Sequence, residues 1–163
     1  MITGKAMLLE RDELSALIPH AGSMCLLDGV LDWDDASIRC ISNSHRNPAN
    51  PLRHAGRLSA LCAFEYGAQA AAVHGALCLG QQALPAYLAA LKNGHCQVPY
   101  LDTIAAPLQI DACLQYRGGA DHIYQIRVSA EAQTVAEVRI SVMAIRPTDS
   151  DVSKNSTGKG REL

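Results

Sequence analysis

The chain has no C-x-x-C pair and no Cys/His cluster at zinc spacing, so neither a redox motif nor a zinc ribbon is written into it. Its six cysteines, Cys25, Cys40, Cys62, Cys78, Cys96 and Cys113, are spread evenly among apolar neighbours. They read as reduced thiols acting as small hydrophobes, which places the chain in a reducing compartment. Excess charge is also missing. Fourteen Lys and Arg stand against 16 Asp and Glu, a formal net charge of −2, which argues against nucleic acid or another polyanion as partner. No run of about 18 apolar residues occurs, and Lys5, Glu10, Arg11, Asp12 and Glu13 break up the first twenty residues, so neither a membrane span nor a signal peptide is expected and the protein should be soluble and cytoplasmic. There is no G-x-S-x-G elbow and no phosphate-cradling glycine loop, so nucleotides are not suggested.

What is present is enough for one real core. Of 163 residues, 48% are apolar and 18% charged, and a domain of this size buries roughly 70% of the surface its unfolded chain exposes, without help from a disulfide or metal. Residues 1–146 are expected to form a single domain. The stretch from 147 to 163, PTDSDVSKNSTGKGREL, is polar and without apolar periodicity and reads as a disordered tail.

Leu14, Leu17 and Ile18 lie at helical spacing in Glu10 to Ile18, ahead of Pro19, and predict one short helix. Residues 24–33 and 37–44 read as two strands joined by the turn Asp34-Asp35-Ala36. From His45 to Gly56, two prolines and two asparagines without a pattern signal a loop, and loops of this length in compact domains are usually functional. Leu58 to Leu79 is rich in Ala, Leu, Cys and Val and has only Glu65, Gln69 and His74 as strongly polar side chains, which predicts a helix apolar on all sides and therefore central. Residues 85–98, 106–117, 122–130 and 134–145 read as strands, with Gly118-Gly119 as a hairpin signal. The fold class expected is α+β: one curved antiparallel sheet wrapped around one long apolar helix, with a sheet edge left for a partner to cover. A dimer is expected.

Glu65 is the most informative position, because a carboxylate in the middle of an apolar helix should be desolvated, with a raised pKa suited to general acid catalysis. Gln69, one turn later, shares its face and is placed with the substrate-binding residues, either in a hydrogen-bond network or simply holding the carboxyl group. His45 and His54 in the loop are the candidate bases. His74 reads as a satisfied core or interface histidine, and His20, His95 and His122 as surface or packing residues. A metal site from His45, His54 and Glu65 matches no recurrent ligand spacing, so no metal and no cofactor are expected. Arg53 and Arg57, at the end of the loop, read either as contacts to an anionic carrier or substrate phosphate or as a solvated pair.

These residues resemble a family. Ile18-Pro19-His20 followed by Met24-Cys25-Leu26-Leu27-Asp28-Gly29-Val30 is similar to the Pro-His … Leu-Leu-Val-Asp-Arg-Val segment of the hotdog-fold 3-hydroxyacyl-acyl-carrier-protein dehydratases. Phe64-Glu65-Tyr66-Gly67-Ala68-Gln69 resembles their central-helix Ile-Glu-Ala-Met-Ala-Gln, and Pro85 to Leu91 resembles the strand that follows. SHRNPANPLR and EYGAQAAAVHG resemble the divergent branch of aryl polyene and xanthomonadin-type pigment clusters. The family's Gly-His-Phe-Pro-Gly loop is replaced by Asn50-Pro51-Leu52-Arg53-His54-Ala55-Gly56-Arg57, which leaves open whether His54 or His45 is the base. The resemblance implies that a histidine removes the α-proton of a 3-hydroxyacyl thioester on phosphopantetheine of acyl carrier protein, and that protonated Glu65 supplies a proton to the departing hydroxyl. It also implies that backbone N–H groups near Leu58 to Leu61 polarise the thioester carbonyl, and that the histidine acts across a homodimer or a heterodimer with another hotdog subunit. A thioesterase in which Glu65 activates water and a non-catalytic partner subunit of a heteromeric dehydratase are the alternative readings.

Overall fold

The computed structural model describes residues 7–20, 22–80, 85–119 and 121–145; the expected tail at 147–163 lies outside them. Within them, strand β1 (Leu9–Glu10) leads into helix α1 (Arg11–Leu17), then β2 (Gly29–Trp33), β3 (Ser37–Ser42), the long helix α2 (Ala63–Leu79) and strands β4 (Ala86–Cys96), β5 (Leu108–Gly118), β6 (Asp121–Ala130) and β7 (Gln133–Ala144). The strands form one antiparallel sheet in the order β1-β2-β3-β5-β6-β7-β4. Helix α2 lies across its inner face, touching β3, β5, β6 and β7.

Period-two patterning drives this packing. Leu108, Ile110 and Ala112 of β5 are buried alternately, and Ile110 and Ala112 pair across the ladder with Val128 and Ile126 of β6. Small residues on the helix let the sheet come close. At Gly67 an added Cβ would overlap the Cγ2 of Ile126, so the helix and β6 meet backbone to side chain with no room for a methyl group. The helix ends at Gly80, which adopts a left-handed φ of 65° and returns its N–H to Leu77 O at 3.1 Å.

Three elements differ from the sequence reading, and in each the backbone groups are met by distant parts of the chain. The helix expected from Leu58 begins as a helix only at Ala63, after a 3₁₀ turn at Ala60–Cys62. Residues 58–60 are instead pinned in extended form to the 99–101 segment by Leu101 N–H to Leu58 O (2.8 Å) and Ala60 N–H to Pro99 O (3.0 Å). The strand expected from residue 24 starts at Gly29. Main-chain groups of Met24, Cys25 and Leu26 bond to Gln69, Arg11, Ser42 and Ser44 in place of a ladder partner. The two-residue β1 carries no readable pattern of its own; it pairs Leu9 with Val30. The cysteines also divide: Cys25 and Cys40 are buried, Cys62 and Cys78 partly so, and Cys96 and Cys113 are exposed on the sheet, so even spacing among apolar residues did not mean uniform burial.

Strand β4 is unlike the rest. Among the described residues it pairs only with β7, along one edge, and nearly all its residues are exposed on both faces, including Tyr87, Leu88 and Leu91. No helix among the described residues is long and apolar enough to cross a membrane.

Candidate functional site

Helix α1 stops at Leu17; Ile18 is extended, and Pro19 cannot continue a helix, so the chain turns and lays His20 against the first turn of α2. There His20 Nε2 lies 3.2 Å from Glu65 Oε1. The segment that follows is fastened to the same helix by Gln69, which is fully buried. Its Oε1 accepts from Leu26 N–H (2.9 Å) and its Nε2 donates to Met24 O (2.8 Å) and to Glu65 Oε1 (3.1 Å). Glu65 Oε1 is therefore held between an imidazole and an amide, one from each side.

The pair borders a cavity of about 230 Å³ whose other walls include Ala68 and Ala72 of α2 and Tyr87 and Leu88 of β4. The Glu65 side chain is 33% exposed and that of His20 30%, so Glu65 is not the sealed-in carboxylate that an apolar helix suggested: it sits in the first turn, at the rim, facing a cleft. Even a fully charged pair this exposed is worth only about 0–1 kcal/mol to the fold. Stability alone gives little reason to keep it. Nδ1 of His20 is shielded and has no hydrogen-bond partner among the described residues.

The loop histidines are placed elsewhere in the chain. His45 is fully buried, and its Nε2 donates to Ile104 O at 3.0 Å, which leaves Nδ1 without a partner among the described residues. Burial holds its pKa below the ordinary value, so the ring is a neutral clamp between two loops. His54 is exposed at the base of a tight hairpin, with His54 N–H to Arg57 O at 2.9 Å and Arg57 N–H to His54 O at 3.0 Å. Ala55 and Gly56 form its tip with φ of 49° and 74°, the double positive φ of a type I′ turn. Neither loop histidine contacts Glu65 within the chain. The signal that could have singled out His20 was Pro19 itself, a helix stop immediately before an imidazole.

Arg53 is spent inside the loop, on the carbonyls of Asn47 (2.9 Å), Gly56 (2.8 Å) and His45 (3.0 Å). Arg57 bonds to Asp102 Oδ2 at 2.8 Å and stacks over Tyr100, 3.7 Å from the ring centroid. The amides near Leu58 to Leu61 are likewise engaged: Leu58 N–H donates to Asp102 Oδ1 (2.7 Å), Ala60 N–H to Pro99 O and Leu61 N–H to Ser59 Oγ (3.3 Å). The Leu58 N–H first, and then the Arg57 guanidinium, hold the Asp102 carboxyl below the usual carboxylate range. The expectation that these amides are free to polarise a thioester is corrected by the same pinning of 58–60 that delays the helix. His74 is a satisfied core histidine, with Nε2–H to Asp34 O at 2.8 Å and Nδ1 accepting from Tyr124 Oη at 2.9 Å.

Comparison with known proteins bears on this site. A family model described as ApeP-like, ApeP dehydratase, matches residues 12–154. No curated protein matches the chain in sequence. Among solved structures, a chain of the dehydratase heterocomplex ApeI:P from Xenorhabdus doucetiae is similar over 88% of this chain and 97% of its own, with 21% identity and a TM-score of 0.73. The PaaI protein of the Escherichia coli phenylacetic acid degradation operon is similar over 73% of this chain and 80% of its own (19% identity, TM-score 0.51), and a mutant thioesterase from Pseudomonas aeruginosa over 70% and 78% (17%, 0.50). At these identities the structures show a shared fold, the hotdog.

Proposed function

Starting from the fact that the chain belongs to the ApeP-like dehydratase family, we propose that it eliminates water from 3-hydroxyacyl thioesters carried on acyl carrier protein, giving trans-2-enoyl thioesters. The observation that carries this reading is the His20–Glu65 contact at 3.2 Å on the wall of a cavity. Elimination needs a base for the α-proton and an acid for the departing hydroxyl at the same moment, and a pair sharing one proton supplies both. Neutral His20 takes the α-proton as the C–O bond breaks, and protonated Glu65 gives its proton to the leaving oxygen, which departs as water. The pair is left as imidazolium and carboxylate, and the proton passes back across their contact to reset the site. Gln69, donating to Glu65, is assigned a positioning role.

The outer edge of β4, a strand exposed on both faces and paired along its other edge with β7, supports a partner there, because a long apolar strand edge in water is a pairing template. Tyr87 and Leu88 of β4 also line the Glu65 cavity, so a subunit docked on β4, whether a copy of this chain or another hotdog protein, would close the site. The ApeI:P neighbour is a heterocomplex, which favours the second arrangement. The free thiols support placement in the cytoplasm.

The test is formation of enoyl thioester from a 3-hydroxyacyl carrier protein, followed by mass spectrometry, with Glu65→Gln, His20→Ala and His54→Ala. Loss of about 10²-fold or more is expected for the first two, with unchanged circular dichroism, and little change for His54→Ala. Loss confined to His54→Ala would move the base to the His45–Gly56 loop. Release of free thiol without enoyl product would make the chain a thioesterase, and activity only in the presence of a second subunit, insensitive to Glu65→Gln, would make it a structural partner.

A further inference from the structure

The outer face of the sheet carries charges that are balanced in its middle and unbalanced at its open edge. By alternation, Glu137, Arg139, Ser141 and Met143 of β7 point away from α2, and across the ladder they pair with His95, Lys92, Ala90 and Tyr87 of β4. In the middle of the same face Arg39 bonds to Asp111 at 2.7 Å and Arg127 to Glu137 at 2.8 Å. At the edge, Lys92 stands directly opposite Arg139; both are exposed, and neither has a carboxylate partner among the described residues. Like charges directly opposite across a ladder are a net cost, so the fold gains nothing from this arrangement.

A lysine on an edge strand is an ordinary guard against uncontrolled pairing, and the backbone adds a second guard beside it. The register of β4 shifts between Lys92 and His95, where Asn93 takes a φ of 54° and a Cβ at Gly94 would fall 2.9 Å from Phe64 Cζ, so regular pairing along the free edge stops at Lys92. What a strand docked on that edge has to supply follows from the same residues. β4 contains no Asp or Glu, and the one carboxylate of β7, Glu137, is taken by Arg127. A second copy of this chain laid antiparallel against β4 therefore brings no free carboxylate from either strand to Lys92, whatever the register, and it adds a second Lys92 and Arg139 to the seam. Leu88 and Leu91, both exposed, offer apolar surface to every partner alike. Charge is what tells partners apart.

We propose that Lys92 and Arg139 together select the partner at β4: they disfavour a second copy of this chain and admit a hotdog subunit whose edge strand places a carboxylate across from Lys92. The selection rests on the reading of β4 as the docking edge and is independent of the chemistry at Glu65.

The test supplies the missing carboxylate on a copy of the chain. Tyr87→Glu, Ala90→Glu and Lys92→Glu cover the outward positions of β4 ahead of the register shift, one of which lies across from Lys92 when two free edges pair antiparallel. Each purified full-length variant is titrated into the unmodified chain, labelled at its N-terminal amine, and the dissociation constant is read by fluorescence anisotropy in about 0.05 M and about 0.5 M salt. At least one variant is expected to bind the unmodified chain about tenfold more tightly than that chain binds itself. The gain should vanish in the higher salt, and also when the labelled chain carries Lys92→Met and Arg139→Met. No gain from any variant, a gain that persists in high salt or in the doubly substituted chain, or an unmodified chain that pairs with itself as tightly as with the best variant would overturn the proposal. Leu88→Lys, on the inner face of β4, tells this failure from a failure of the docking edge. Salt-insensitive pairing that is equal in all mixtures and abolished by Leu88→Lys would keep β4 as the docking edge and remove only the selection, whereas a gain that survives Leu88→Lys would lie elsewhere on the molecule and overturn both. Enoyl product from the unmodified chain reports on the dehydratase reading alone.

Discussion

Replacing Gln69 tests how the site is held. Its side chain satisfies one fully buried donor, Leu26 N–H, one partly buried acceptor, Met24 O, and one oxygen of Glu65. Gln69→Ala orphans the buried amide, at a cost of about 1–3 kcal/mol, and removes a bond to a carbonyl that water can still reach, at about 0.5–1.5 kcal/mol. The sum is about 1.5–4.5 kcal/mol, which for a chain of this size lowers Tm by about 4–13 °C. Gln69→Glu separates the two jobs. It keeps the volume and the acceptor for Leu26, but presents a carboxylate to Met24 O and to Glu65. Its deficit relative to the unmodified protein should therefore shrink as pH falls, because protonating one of the two carboxyls restores a donor. In the elimination assay both variants should lose kcat by about tenfold with KM little changed, since the substrate pocket survives while its acid swings free. Differential scanning calorimetry from pH 5 to 8, together with steady-state kinetics, reads all of this. A Tm within about 2 °C of the unmodified protein and an unaltered kcat would refute the idea that Gln69 joins the His20 segment to Glu65.

The helix–sheet contact and the buried histidines give two more expectations. Gly67→Ala places a methyl group on Ile126 Cγ2 and should cost about 1–3 kcal/mol of overpacking, partly offset by about 1 kcal/mol of helix propensity. Combined with Ile126→Ala, it should give a double-mutant coupling of about 1 kcal/mol or more in urea denaturation, and strict additivity would count against the close approach. His45 and His74 are both held neutral by burial, with folded pKa values below the ordinary 6.5. The unfolded chain then binds more protons than the folded one as pH falls below 6.5, so stability should be fully present above that value and drop by up to about 1.4 kcal/mol per pH unit for each ring between 6.5 and the depressed folded value. His45→Gln should remove one of the two contributions to the slope; a stability that rises on acidification would contradict both assignments.

The sequence by itself determined the fold class, through patterning that reads the same in any context. Alternation in Leu108, Ile110 and Ala112 makes a half-buried strand wherever it occurs, and a stretch as apolar and as small-sided as 63–79 has to lie inside something. The long run of β4 as a strand was legible for the same reason, whereas its exposure on both faces was not, because periodicity says which residues share a face and is silent on whether a neighbour covers it.

Glu65 and Gln69 could be picked out as unusual, since polar side chains on an apolar helix stand out by composition alone. Which imidazole meets Glu65 could not. His20, His45 and His54 are equivalent as residue types, and the loop histidines looked better placed because a loop offers fewer constraints. The local Ala55-Gly56 turn leaves His54 at the surface, and the rest turned on long-range hydrogen bonds that no local pattern encodes: Ile104 O captures His45, and Gln69, reaching 45 residues back to Met24, draws the strand entry and His20 onto the helix. The same kind of bond, Leu58 to Asp102 across 44 residues, removed the free amides expected at the helix start. Burial preference is a property of each residue and travels with the sequence, whereas the partner of a polar group is a property of the closed chain, because unmet donors and acceptors bind whatever the packing of the apolar core brings within reach.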